Sequence, residues 1–255
     1  MATRDLLLQS YWRLERAIAP DIRYSQLAYE DVLRRHAKEA TVWLDLGCGR
    51  RILPQWRRES EAAIAESGCR VVGVDVDERA LKDNASIALK CGASGATLPF
   101  AEDTFDLVTA NMVVEHLEDP ERQFREISRV MRPDGLFIIH TPNATGYPTL
   151  MARLVPRGMK SWMARYLEGR DDRDVFQTFY RANSERTIDS LARASSLRVL
   201  DLEFIRSTPV FGLVPPVAAL ELLWSRALKS ERLKRLRTSI IAVLQKLDPA
   251  TASIA

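Results

Sequence analysis

Val42-Trp-Leu-Asp-Leu-Gly-Cys-Gly49 is the stretch whose reading decides the fold. A short apolar run stops at two glycines one residue apart, and helical character follows over 51–67. Glycine lets the backbone turn tightly and approach a ligand, while the next helix presents N–H groups that lack intrahelical acceptors. The pattern is therefore strand, glycine turn, helix. Cys69-Arg-Val-Val-Gly-Val-Asp75 supplies a second buried strand, with a helix predicted over 78–90. Further strands are expected at 105–110 and 136–140, with a helix over 120–131 between them. Short apolar strands alternating with helices imply an α/β protein with a parallel sheet covered on both faces.

The flanks read differently. Leu7, Tyr11, Leu14 and Ile18 recur at helical spacing, Pro20 interrupts, and 27–37 resumes, so 1–40 is expected to be a helical N-terminal region. Pro142, Pro148 and Pro156, scattered aromatics and the charged cluster 170–174 mark 141–183 as a lid inserted into a domain spanning 41–214. Ser184 is an N-cap candidate for a helix to about 195. Segments 197–205 and 210–214 are expected to close the sheet as an antiparallel pair. The remainder, 215–255, reads as a basic amphipathic helical extension. Leu220, Leu223, Trp224, Ala227 and Leu228 form one stripe, and Leu233, Leu236, Ile240, Val243, Leu244 and Leu247 a second. Arg226, Lys229, Arg232, Lys234, Arg235 and Arg237 lie beside them, which makes 216–247 a candidate for peripheral membrane contact.

Composition sets the outer bounds. Of 255 residues 46% are hydrophobic and 28% charged, as in an ordinary globular protein. Lys plus Arg number 37 and Asp plus Glu 34, a net charge of +3, so no nucleic-acid partner is expected. Cys48, Cys69 and Cys91 stand at no metal-ligand spacing and fit a reducing cytoplasm. Leu6 to Leu8 is a very short apolar run hemmed by Arg4, Asp5 and Arg13, so no secretory leader is expected.

In open parallel sheets ligands sit beyond the carboxyl ends of the strands, where the Gly47–Gly49 loop falls. Asp75, at the end of the next strand, can accept both hydroxyls of a ribose, which points to a nucleoside-containing ligand. The dinucleotide fingerprint would place a third glycine at position 52, where this chain has Ile52.

Five segments in register then carry a resemblance: 42–49, Val71-Val-Gly-Val-Asp75, Leu98-Pro-Phe-Ala-Glu-Asp-Thr-Phe-Asp-Leu-Val108, Val114-Glu-His-Leu-Glu-Asp-Pro120 and Val130-Met-Arg-Pro-Asp-Gly-Leu136. Together they resemble the type 11 class I S-adenosylmethionine-dependent methyltransferases over roughly 40–143. That resemblance implies a Rossmann-like, doubly wound sheet, mostly parallel with an antiparallel closing strand, and S-adenosyl-L-methionine as cofactor. It implies that Asp45, Gly47, Cys48 and Gly49 surround the methionine end, Asp75 holds the ribose, Val76 packs on adenine and Asn111 lies near the sulfonium. Two departures stand out: Arg51 replaces a third glycine, and Ser94 replaces an adenine-side aspartate, where its hydroxyl can still bond the exocyclic amine of the cofactor.

Methyl transfer needs alignment and exclusion of water, and it needs a base only for a hydroxyl acceptor. His116 and His140 are the candidates, and His140, at a strand end, is preferred. Relatives that hold a divalent cation in this helix carry a glutamate where this chain has Met112, a soft thioether, so no metal is expected. Tyr180, Arg181 and Asn183, with Phe176 and Phe179, suit a polar aromatic, sugar or quinone-like acceptor, small or lipid-linked. The absence of an Asn-Pro-Pro-Tyr-type signature favours oxygen by elimination. Alternatives are N- or C-methylation, or a catalytically silent scaffold of the same fold.

Overall fold

The computed structural model describes residues 2–65, 68–154, 176–207 and 215–248. Two compact units divide the chain: 28–141, 178–203 and 240–255 form one, and 1–27, 142–177 and 204–239 the other.

The first unit is built on a seven-stranded sheet. Its strands are β1 (Val42–Leu46), β2 (Arg70–Asp75), β3 (Leu89–Gly92), β4 (Phe105–Asn111), β5 (Met131–Pro142), β6 (Leu197–Ile205) and β7 (Ser239–Lys246). The spatial order is β3-β2-β1-β4-β5-β7-β6. The pairs β3–β2, β2–β1, β1–β4 and β4–β5 are all parallel. β7 runs the other way, because the Leu247 amide at its end bonds the Ser196 carbonyl at the start of β6 (2.9 Å). Lys246 Nζ likewise meets the Met131 carbonyl at the start of β5 (2.7 Å). The sheet is thus mostly parallel with an antiparallel strand near one edge, as the resemblance implied.

The helices between strands follow from local chemistry. α4 (Glu78–Asp83) starts where the Asp77 carboxylate accepts the amides of Arg79 and Ala80. α5 (Pro120–Val130) has Asp119 as N-cap and Pro120 at its first turn, and buries Phe124 edge-on against Phe137 of β5, centroids 5.6 Å apart. Burial of such a ring contributes roughly 1.5–3 kcal/mol. Ser184 caps α7 (Glu185–Ala194) in a reciprocal box with Thr187. α3 (Arg58–Ala65) is preceded by a single 3-10 turn after Pro54, shorter than the helix expected over 51–67.

In the second unit, α1 (Ala2–Ile18) packs on α8 (Pro215–Ala227) through Tyr11, Ala19, Ala218 and Leu222. α6 (Tyr147–Leu154) joins α8 by a bond from the Tyr147 hydroxyl to Glu221 Oε1 (2.8 Å). Asp21 receives both Arg206 and Lys229. No helix among the described residues is long and apolar enough to cross a membrane.

Two expectations need correction. The C-terminal extension is not helical throughout: after α8 and a 3-10 turn over Glu231–Leu236, residues 239–246 form β7. Ile240, Ile241, Ala242, Val243 and Leu244 are all buried, the continuous apolar run of a strand covered on both faces. Such a run also contains every helical spacing, which is how the second stripe arose. β6 consequently pairs with β7; 210–214, its expected partner, lies outside the described residues. The helix expected over 78–90 ends at Asp83, and Asn84 begins a turn that leads into β3. Of the 141–183 lid, residues 155–175 lie outside the described residues, and 147–154 form α6.

Candidate functional site

The turn after β1 holds Gly47 at φ +63° and Gly49 at φ +47°, the left-handed region that penalises side chains. At Gly47 a Cβ would also stand 2.4 Å from a methyl of Val113. The amides of Gly47 and Cys48 both donate to the Val74 carbonyl (2.7 and 3.1 Å), tying the turn to β2. Cys48 points away from the turn's open side: its Sγ would be 2.7 Å from a Cβ on Gly73. Asn84 completes the clamp, donating to the carbonyls of Cys48 (3.2 Å) and Gly49 (3.0 Å).

Asp75 ends β2 with its carboxylate fixed from two sides. Oδ2 accepts the Gly49 amide and Oδ1 the Asp77 amide, each at 2.8 Å. Each oxygen keeps a further lone pair, and Asp75 lines a pocket of about 280 Å³. Gly47, Val76 and Ser94 share that wall, with Leu46, Val74, Ala110 and Phe137 as apolar lining. Val76 is 64% exposed, an apolar face held open beside the carboxylate. The Ser94 hydroxyl oxygen accepts the Ala96 amide at 3.3 Å.

The other expected cofactor residues stand behind this wall. Asp45 is buried opposite Thr109 of β4, whose hydroxyl donates to Asp45 Oδ1 (2.6 Å) and accepts from Trp43 Nε1 (2.7 Å). Burial pushes the Asp45 carboxyl up to about 7, against the Thr109 bond, which lowers it. Asn111 pairs in register with His140 of β5, and Asn111 Oδ1 lies 2.8 Å from His140 Nδ1.

His140 does not have the access expected of a base. Its ring is fully buried, its pKa is depressed to about 3 by desolvation, and it is outside the pocket wall. A base must reach the proton it takes, so the preference for His140 is reversed on geometry. His116, from the 3-10 turn Val114–His116, does line the pocket.

Of the expected acceptor residues, Asn183 is wholly buried and donates to the Thr141 hydroxyl, which donates to buried Glu115 (3.0 Å). Glu115 also takes the amides of Phe179 and Tyr180 on its carbonyl (2.8 and 3.2 Å). Tyr180 adopts φ +53°, and exposed Arg181 bonds the Glu118 carbonyl and lies over the Phe179 ring, 5.2 Å from its centroid. Within this group only Phe179 reaches the pocket wall, and the bonds of Tyr180, Arg181 and Asn183 run instead to Glu115, Glu118 and Thr141. Among the described residues no three His, Cys, Asp or Glu side chains gather as a metal site requires.

The sequence reading missed Val113, which fills the space above Gly47, and Gln123 of α5, which lines the pocket. A signal existed for the second: Gln123 lies one helical turn before Ile127, another wall residue, so both share a face.

A parallel sheet with a left-handed glycine turn and a strand-end carboxylate beside an apolar pocket defines the nucleoside-binding α/β class. Residues 44–139 match the methyltransferase domain family, and over this segment the chain is similar to the class I S-adenosylmethionine-dependent methyltransferases, whose cofactor is S-adenosyl-L-methionine. An uncharacterized methyltransferase of Mycobacterium leprae is 32% identical over 151 residues, covering 54% of this chain and 53% of that protein. A ubiquinone biosynthesis O-methyltransferase of Rhizobium etli is 30% identical over 129 residues, covering 48% and 49%. The chain thus spans about half the length of these curated relatives. An S-adenosylmethionine-dependent methyltransferase from Archaeoglobus fulgidus shares the fold, with a TM-score of 0.53 and 19% identity over 92% of this chain and 99% of its own.

Proposed function

We propose that the chain transfers the methyl group of S-adenosyl-L-methionine to an oxygen of a small or lipid-linked acceptor, such as a quinone-like or other polar aromatic. The observation that carries cofactor binding is Asp75: a carboxylate locked by the Gly49 and Asp77 amides, with spare lone pairs at a pocket that also holds apolar Val76. Two neighbouring hydroxyls of a ribose satisfy those lone pairs with charge-assisted bonds. Bound there, the cofactor supplies a methyl already activated on sulfur. What remains for the protein is alignment and dryness, and the apolar lining from Leu46, Ala110, Val113 and Phe137 serves both. A hydroxyl acceptor must also lose a proton, and His116 is the imidazole placed at the wall to take it.

Two features support a lipid-linked acceptor. One is the likeness to a protein named for ubiquinone biosynthesis. The other is the exposure of Leu220 (69%) and Leu223 (52%) on α8. Calorimetric titration with S-adenosyl-L-methionine tests the first half of the proposal, and absence of heat would sink it. Incubation of a cell extract with methyl-labelled cofactor tests the second. Label should enter an organic-soluble product as an alkali-stable ether, and label only in amines or carbon would overturn the oxygen assignment.

A further inference from the structure

Gln123 stands in α5, one turn before Ile127, and its side chain lines the pocket. Its Oε1 is fully buried and has no hydrogen-bond partner among the described residues. Buried amide oxygens are almost always satisfied, so this one calls for an explanation. A ligand that packs against this amide without offering a donor leaves the oxygen unsatisfied and loses affinity. The amide therefore imposes a requirement on whatever fills this end of the pocket.

Its neighbours say which part of the ligand that is. The Gln123 Nε2 lies 3.7 Å from where a Cβ on Gly95 would be, so the amide sits against the loop that follows β3. The wall runs from Asp75 through Val76 to Ser94, Gly95 and Gln123. If Asp75 holds a ribose, as the proposed function has it, the attached base lies between Val76 and this amide. We propose that Gln123 reads the 6-amino group of the adenine. A carboxamide offers an acceptor and a donor side by side, and adenine offers the complement, the amino group next to a ring nitrogen acceptor. The Ser94 hydroxyl oxygen accepts the Ala96 amide at 3.3 Å, whereas the buried Gln123 oxygen accepts nothing among the described residues, so the amide oxygen is the acceptor here that most needs a donor.

The test compares calorimetric affinities of S-adenosylhomocysteine and its 6-desamino purine analogue, which lacks the amine and keeps the ring nitrogens. Turning the amide over does not rescue the analogue, because no donor remains for Oε1. Wild type should prefer the adenosyl compound by about ten- to a hundredfold. In Gln123→Met, close in shape and without the amide, the ratio should fall to within about threefold; Gln123→Ala, a strong helix former, should do the same and is read if the Met variant melts without cooperativity. A wild-type ratio near one, or a ratio preserved in the variants, overturns the proposal while leaving the cofactor assignment intact. Wild type that takes up neither compound overturns the cofactor assignment and this inference with it.

Discussion

His140 lies nearly flat against Tyr29, ring centroids 5.5 Å apart and planes 21° from parallel. With its pKa depressed to about 3, the imidazole is neutral, so the Nδ1 contact with Asn111 Oδ1 is an N–H donation. Nε2 is left as a buried acceptor without a partner among the described residues. The ring is therefore a fixed prop between α2 (Ser25–Ala37), which carries Tyr29, and Asn111 at the end of β4. His140→Gln, which can still donate to Asn111, should keep turnover within about tenfold, whereas His116→Gln should lower it about 10²-fold or more for a hydroxyl acceptor. Initial rates at neutral pH distinguish them, and the reverse order would restore His140 as the base.

Asp45 and His140 should give stability opposite dependences on pH. Asp45 is raised from 3.8 to about 7, so the folded state holds a proton that the unfolded state releases, and stability falls as pH rises through that window. His140 is lowered from 6.5 to about 3, so the unfolded state takes the proton and stability falls as pH drops through its window. Between about pH 5 and 5.5, each slope approaches about 1.4 kcal/mol per pH unit, with opposite signs. Relative to wild type, Asp45→Asn should lose stability on acidification and His140→Gln should gain it. Urea melts across this range check the pair, and parallel profiles would refute the assignment.

Much of this was legible beforehand because it is local. The glycine turn, the strand-end Asp75 and the Ser184 cap are each set within a few residues. What escaped depended on tertiary partners. Ile240 to Leu244 carries no mark that separates a buried strand from a helix until β5 and β6 flank it. His140 and Asn183 looked like chemistry at a strand end and a lid, yet both are buried, and burial belongs to the packing rather than to the residue. Gln123 was hidden for the opposite reason, a polar residue on a helix that is otherwise amphipathic.

Gly47 should tolerate no side chain. Gly47→Ala meets the left-handed penalty of about 1–2 kcal/mol and a 2.4 Å clash with Val113 that adds about 1–3 kcal/mol. Adding Val113→Ala should return the packing part and not the backbone part. A double-mutant cycle by urea unfolding measures this, and strict additivity would place the clash elsewhere.

Asp75→Ala should weaken S-adenosyl-L-methionine binding by about 1–3 kcal/mol, since the bonds it would make are charge-assisted. The amides of Gly49 and Asp77 lose their acceptor at the same time, so some loss of stability should accompany it. Calorimetry at a temperature well below the melt separates the two. Unchanged affinity would remove Asp75 from the site.

The last prediction concerns α8, where one face is buried through Ala218, Leu222 and Ser225 and the other presents Val217, Leu220, Leu223 and Trp224 at 40%, 69%, 52% and 37% exposure. Arg226 follows directly and Arg232 lies in the next turn, while Lys229 is paired with Asp21. An apolar ridge with a tryptophan and adjoining cations matches an anionic lipid surface, which takes up the side chains and attracts the charges. The protein should float with vesicles of phosphatidylserine and phosphatidylcholine, less with phosphatidylcholine alone, and less again as salt screens the charges. Leu220 and Leu223 are exposed, so replacing both by serine should leave the melt nearly unchanged while lowering partitioning about thirtyfold. Failure to float with either vesicle at low salt would end the membrane reading, and the acceptor would then be sought among soluble compounds.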